Sequence, residues 1–204
     1  SNSISYYDLY DQSSRLKNLF LKYNISREDR VIILMNDVVQ YPVIFWGCLK
    51  SGVIPVLLNT LLSNEIINEI INDSRAKAVF ITSNLLDNFN DLLTKNSNIQ
   101  NIFEIGENSN YINFIDEIKK CQIESTIDCS KDEVAFWLYS SGSTGQPKGV
   151  KHVHGSLEYT YKTYGKQVLK IEENDIVFSV AKLFFAYGLG LSLIHISEPT
   201  RHRL

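Results

Sequence analysis

Residues 133–149 read EVAFWLYSSGSTGQPKG, and they anchor the reading of the whole chain. The apolar, aromatic-rich run Val134, Ala135, Phe136, Trp137 and Leu138 has the length and residue types of a buried strand. It breaks into Ser140, Ser141, Gly142, Ser143, Thr144 and Gly145, followed by Pro147, Lys148 and Gly149. Glycines that tolerate positive φ let such a loop turn its backbone N–H groups inward. The hydroxyls add donors, and Lys148 adds a mobile positive charge. That combination suits a polyphosphate, which takes many short donors and one compact cation. Two rivals fail. A flexible Gly/Ser turn seldom carries Pro-Lys-Gly after a buried strand. The P-loop of nucleotide triphosphatases needs Gly-Lys followed by Ser or Thr, whereas Lys148 lies between Pro147 and Gly149.

On these residues, Tyr139 to Val150 with His152 and His154 beyond, the chain resembles the phosphate-loop signature of adenylate-forming enzymes. That superfamily comprises acyl-CoA synthetases, luciferases and peptide-synthetase adenylation domains. The resemblance implies that Ser140, Ser141, Gly142, Ser143, Thr144, Gly145 and Lys148 hold the β- and γ-phosphates of ATP while a carboxylate attacks the α-phosphate. It makes Lys148 the expected catalytic charge partner of the leaving pyrophosphate, and ATP, Mg2+ and CoA the expected cofactors.

Before the loop, apolar patterns alternate between two periods. Leu9, Leu16, Leu19, Phe20 and Tyr23 fall on one helical face within residues 6–23, with Asn24 as a stop. Arg30–Met35 reads as a buried strand. Asn36 and Asp37 are candidate caps for a helix over Val38–Lys50, ended by Ser51 and Gly52. A second strand over Val53–Leu58 carries Pro55, which predicts an edge or irregular position. Ser63 caps a helix to Asp73 with Glu65 in its first turn. Strands are expected over Ala78–Ile81 and Ile99–Ile105, and helices over Leu85–Thr94 and Ile112–Cys121. Such alternation predicts an α/β fold with a mostly parallel sheet and flanking helices. Ligands of such sheets gather beyond the carboxyl ends of the strands, where the phosphate loop would sit. The span Ser26–Ile81, through Leu49 to Asn59 (LKSGVIPVLLN), also resembles the first unit of adenylate-forming enzymes. Residues 1–190 are thereby expected to be an incomplete N-terminal part of the AMP-binding (adenylation) domain.

After the loop, Ile176–Val180 reads as a further strand, and a second stretch, Ala181 to Gly190, reads AKLFFAYGLG. Rings with small residues between them can form a flat slot, although a core strand-to-helix turn is the plainer reading of those residues. With Phe178, Ser179, His152, Tyr159, Tyr164 and Gly165, this stretch resembles the benzoate-CoA ligase family of aryl-CoA synthetases. Many relatives carry His where Phe185 stands, and the benzoate-type family does not. The resemblance implies that Phe185, Ala186, Tyr187 and Gly188 bind an aryl carboxylate, Tyr187 touching the ring or carboxylate and Gly188 leaving space. Activation of a benzoate-like acid to its acyl-adenylate and then its CoA thioester is the implied activity. The alternatives are a ligase for a fatty or hydroxycinnamic acid, or an inactive truncated fragment with at most weak nucleotide binding. His152 and His154 would share one face of a strand, but no third ligand lies nearby, and no metal site is expected.

Composition bounds the rest. The 204 residues are 44% hydrophobic and 21% charged with net charge −3, which is ordinary for a globular domain and argues against nucleic acid. Cys48, Cys121 and Cys129 lack metal-like spacing, and a reduced, cytoplasmic setting fits them. The longest apolar run, Tyr41–Leu49, is too short to span a bilayer. No basic-then-apolar leader is visible, and the chain opens on Ser1, so the natural N-terminus is expected upstream. Residues 191–204 resemble translated sequencing adaptor and are expected to be a non-native tail. The resemblance further implies a Thr-Glu magnesium motif, a ribose-binding Asp and a C-terminal lysine, none of which is present. On that expectation the enzyme is the parent protein, and the 204-residue piece alone is inactive.

Overall fold

A computed structural model describes residues 3–107, 110–141, 146–172 and 174–190. The elements run α1 (Tyr6–Lys22), β1 (Arg30–Leu34), α2 (Gln40–Ser51), β2 (Ile54–Leu57), α3 (Asn64–Ser74), β3 (Ala78–Thr82), α4 (Leu86–Lys95) and β4 (Asn101–Ile105). They continue with β5 (Ile112–Asn113), α5 (Phe114–Lys120), β6 (Val134–Ser141), β7 (Pro147–Val153) and α6 (His154–Thr160), which widens into a π-helical stretch, Tyr161–Leu169. The strands form one seven-stranded sheet in the order β5-β4-β3-β1-β2-β6-β7. Every neighbouring pair is parallel except β6 with β7.

Alternate side chains divide the core into two layers. Val31, Ile33, Phe80 and Phe103 point to the face covered by α1, α2 and α5, where Phe80 stacks on Phe103 at 4.7 Å. Ile32, Leu34, Val79 and Ile81 point to the face covered by α3 and α4. A strand buried on both faces has no room for polar alternation, which explains the continuous apolar runs. Helix ends follow local chemistry. Ser5 caps α1 by accepting from Asp8 N–H at 3.0 Å, and Ser63 accepts from Ile66 N–H to start α3. Gly52 closes α2 in the left-handed conformation at φ 70°, its N–H returning to the Cys48 and Leu49 carbonyls.

Four expectations need correction. Asn36 and Asp37 do not cap α2. Its N-cap is Val39, without a side-chain hydrogen bond, and Asp37 is engaged elsewhere. Pro55 is not on an edge, because β2 lies between β1 and β6. Ile54 and Leu58 donate to the Asp29 and Ile33 carbonyls on the β1 side, so position 55 turns its nitrogen toward β6. Pairing with β6 begins only at Val56, so the missing N–H falls outside that ladder. Residues 112–113 form a short strand on β4 before α5 begins, with Asn113 as its cap. Residues 176–180 are not a strand. Among the described residues no strand lies beside them, and Ile176, Phe178 and Val180 are exposed.

Candidate functional site

β6 and β7 form a hairpin joined through residues 142–146. Its pairing runs from Val134 opposite Val153 to Ser141 opposite Pro147 and sets Ser140 directly across from Lys148. Both are exposed, at the carboxyl end of β6. Gly142, Ser143, Thr144 and Gly145 lie outside the described residues, as does the side chain of Ser141. The hairpin is braced from the α3 side by Tyr139, whose hydroxyl donates to the Asp73 carboxylate. Burial and that carboxylate push the Tyr139 phenol well above its ordinary pKa, so it stays a donor. Gly149 makes room for the ring: a Cβ there would lie 3.1 Å from Tyr139 Cζ. Trp137 projects to the same side, with Lys151 Nζ 5.2 Å from its ring centre.

The other face of the hairpin is apolar. Phe136 is buried and stacks on His152 of β7, ring centres 4.7 Å apart and planes 3° from parallel. Burial lowers the His152 pKa, so the imidazole is neutral at pH 7. A cavity of about 180 Å³ opens between this face, α6 and residues 186–190, lined by Phe136, Leu138, His152, Leu157, Ala186 and Leu189. Its walls are apolar but for His152, Ser156 and Thr160, the composition of a small-molecule site.

The aryl-binding residues expected from the sequence are placed differently from one another. Ala186 lines the cavity. Phe185 tilts against Phe184 at 4.6 Å, and it and Tyr187 are exposed outside the cavity. Gly188 is buried against its own turn, where a Cβ would lie 2.2 Å from the Lys182 carbonyl oxygen. Sequence reasoning missed Phe136, Leu138 and Leu157 as cavity walls, since each reads as an ordinary core residue; the hairpin register shows which side Phe136 and Leu138 face, and the packing of α6 brings Leu157 to the same cavity. His152 and His154 do not share a strand, since His154 begins α6. Among the described residues no group of three or more His, Cys, Asp or Glu side chains could hold a metal ion. No helix among them is long and apolar enough to cross a membrane.

Comparison with known proteins agrees with this geometry. Residues 1–197 match the family model described as AMP-binding enzyme. The chain is 34% identical over 190 residues to a 4-hydroxybenzoate–CoA/benzoate–CoA ligase of Rhodopseudomonas palustris, covering 92% of this chain and 35% of that protein. It is 38% identical over 170 residues to a benzoate–CoA ligase of Thauera aromatica, covering 82% and 32%. The crystal structure of a benzoate CoA ligase from Burkholderia xenovorans LB400 superposes with a TM-score of 0.87 at 34% identity, covering 96% of this chain and 38% of that one. The chain thus spans about a third of the length of the curated relatives it matches. A β6–β7 hairpin beside an apolar cavity, on a sheet of this order and with this match, places the chain in the AMP-binding enzyme family.

Proposed function

We propose that the whole protein is a cytoplasmic, ATP-dependent ligase that converts a benzoate-like carboxylate to its CoA thioester. The observation that carries this reading is the hairpin itself, with exposed Ser140 and Lys148 at the carboxyl end of β6, on the same face as the Phe136–His152 cavity. A carboxylate held at the mouth of that cavity attacks the α-phosphorus of ATP. The bond to the β-phosphate breaks, and pyrophosphate leaves with the electron pair. The sulfur of CoA then attacks the acyl carbon, AMP departs and the thiol proton is lost. Mg2+ accompanies ATP and neutralises part of its charge.

This chain's residues act by position and charge. Ser140, Ser141, Gly142, Ser143, Thr144 and Gly145 offer donors to the β- and γ-phosphates, and Lys148 meets the charge that grows on the leaving pyrophosphate. The small cavity of about 180 Å³ suits one ring better than a long acyl chain, which favours an aryl acid over a fatty one. Phe185, Ala186, Tyr187 and Gly188 are proposed to complete the aryl site, with Ala186 already at the wall. The partners are small molecules, with no role for nucleic acid.

Carboxylate-dependent exchange of pyrophosphate into ATP, measured on the whole protein, tests the reading. Lys148→Ala is expected to slow exchange about a hundredfold, the scale of removing one charge-stabilising group. Unchanged exchange removes Lys148 from the chemistry. A panel of benzoate, hydroxycinnamate and fatty acids in the same assay decides the acid, and a preference for fatty acids overturns the aryl assignment.

A further inference from the structure

The segment that brings Ala186 to the cavity is tied to the sheet by Asp37. This residue lies three positions beyond β1, at the carboxyl end of the sheet. Its Oδ1 accepts from Leu183 N–H at 3.1 Å, and its Oδ2 lies 3.6 Å from Lys182 Nζ. Two adjacent residues of the aryl segment are therefore gripped by one carboxylate 146 positions away from Leu183 in the chain.

Beyond the grip the chain folds into a compact turn. Phe185 N–H donates to the Lys182 carbonyl at 3.1 Å, and Leu189 N–H to the Phe185 carbonyl at 2.8 Å. Gly188 is pressed so closely onto the turn that a Cβ would lie 2.2 Å from Lys182 O and 2.6 Å from Ala181 O. Phe184 and Leu189 drop into the core that also holds Phe45 and Phe136. A turn this stiff moves as a unit, so a shift at Lys182 or Leu183 carries through to Ala186. The two bonds to Asp37 are not equal. A carboxylate accepting a backbone N–H is strong and directional, whereas Lys182 is more than half exposed and its ion pair is screened.

We propose that Asp37 is a positioning residue of the acid pocket, holding the Leu183 amide so that Ala186 stands at the cavity wall and the carboxylate substrate is bound tightly. The proposal rests on the aryl-ligase assignment. It predicts a specificity effect confined to one of three substrates, which a general loss of stability would not produce.

Steady-state kinetics of the whole protein with benzoate, ATP and CoA, together with amide hydrogen exchange, form the test. Asp37→Ala is expected to raise the KM for the carboxylate about tenfold, as for loss of a hydrogen bond to a charged group. The KM values for ATP and CoA should stay within about twofold, the scatter expected of a surface substitution. Asp37→Asn keeps an oxygen for the Leu183 amide and should restore most of the carboxylate KM. Lys182→Met should raise it no more than about threefold, as expected for a screened pair. Exchange at residues 182–189 should quicken in Asp37→Ala while strands β1 and β3 stay protected.

An unchanged carboxylate KM in Asp37→Ala overturns the proposal, as does an equal rise for ATP, or Asp37→Asn behaving like Ala. If the unsubstituted protein activates no aryl acid, the ligase reading fails and the positioning role falls with it. Hydrogen exchange then still decides whether Asp37 holds the turn.

Discussion

Lys50, at the end of α2, is an ammonium group held by uncharged partners. It donates to Ser13 Oγ and Ser14 Oγ at 2.9 and 2.8 Å and to the Tyr10 carbonyl at 3.3 Å, and it stands 3.8 Å from the centre of the Tyr10 ring. Burial lowers its pKa to about 8. The unfolded chain keeps a proton on this lysine up to about pH 10.4, so between about 8 and 10.4 the unfolded state binds more protons and folding stability rises with pH. Lys50→Met should remove that rise. Urea denaturation at pH 7 and pH 10 is expected to show the wild type gaining about 1 kcal/mol relative to the variant, a figure discounted for the partial exposure of the group. A constant difference between the two proteins would refute the assignment. The Lys-Ser-Gly pattern at residues 50–52 is visible in the sequence, but its partners on α1 are not. Ser13 and Ser14 are small polar residues inside a helix, and only helix packing shows that both are buried.

Among the elements, those with strong local signals were the readable ones. Apolar runs marked the buried strands, and Ser63 and Gly52 marked helix ends; of the small-residue run read as a loop, Ser140 and Ser141 belong to β6. Ends set by packing carried no such mark. Helix α3 closes on Arg75, at φ 50°, and the backbone N–H groups of Asn110 and Tyr111 are held by Glu104. Glu104 is buried inside its strand, accepting from Ser83 Oγ at 2.6 Å and Asn110 N–H at 2.8 Å. A glutamate within a strand pattern gives no hint of that. Nor could residues 176–180 be read correctly, because their alternation is strand-like while a strand needs a neighbour. At the candidate site, strand β6 was legible from its apolar run, whereas its antiparallel pairing with β7, the Phe136–His152 stack and the Asp37 tether depend on register and long-range contact. Gly52 gives a direct test of an element boundary. A Cβ there would meet Ile127 Cδ1 at 2.2 Å and would have to adopt positive φ. Gly52→Ala should cost about 1–3 kcal/mol in urea denaturation. A loss below about 0.5 kcal/mol would mean that α2 and the 122–131 connection adjust freely.

On the scale of the whole molecule, Glu117 joins distant parts of the chain. This carboxylate on α5 receives Lys22 and Tyr23 at the end of α1 and Lys120 on its own helix. The hydrogen bonds from Lys120 and Lys22 hold its pKa at about 2, below the ordinary 4.5. A depressed carboxylate stabilises the fold above its unfolded pKa and loses that contribution as pH falls from about 4.5 to about 2. Glu117→Gln should therefore cost about 1–2 kcal/mol at pH 7, discounted because Lys22 and Lys120 are largely exposed. The difference from the wild type should shrink steadily as denaturation is repeated toward pH 2. A difference that does not change with pH would assign the loss to packing instead of charge.

The order of strands also has a history in time. By about Cys121 an emerging polypeptide already contains five neighbouring strands, β5-β4-β3-β1-β2, while β6 is still to be made. For that interval β2 is the boundary of the sheet, and its outer side is open to any extended peptide. Pro55 turns toward that side and offers no amide to bind one. The residue that reads as an edge proline is interior in the finished molecule, yet it would withhold an amide from that edge in any chain lacking β6. The strand that later occupies the place, β6, avoids the gap by pairing from Val56 onward, and it brings Ser140 and its partner Lys148 with it.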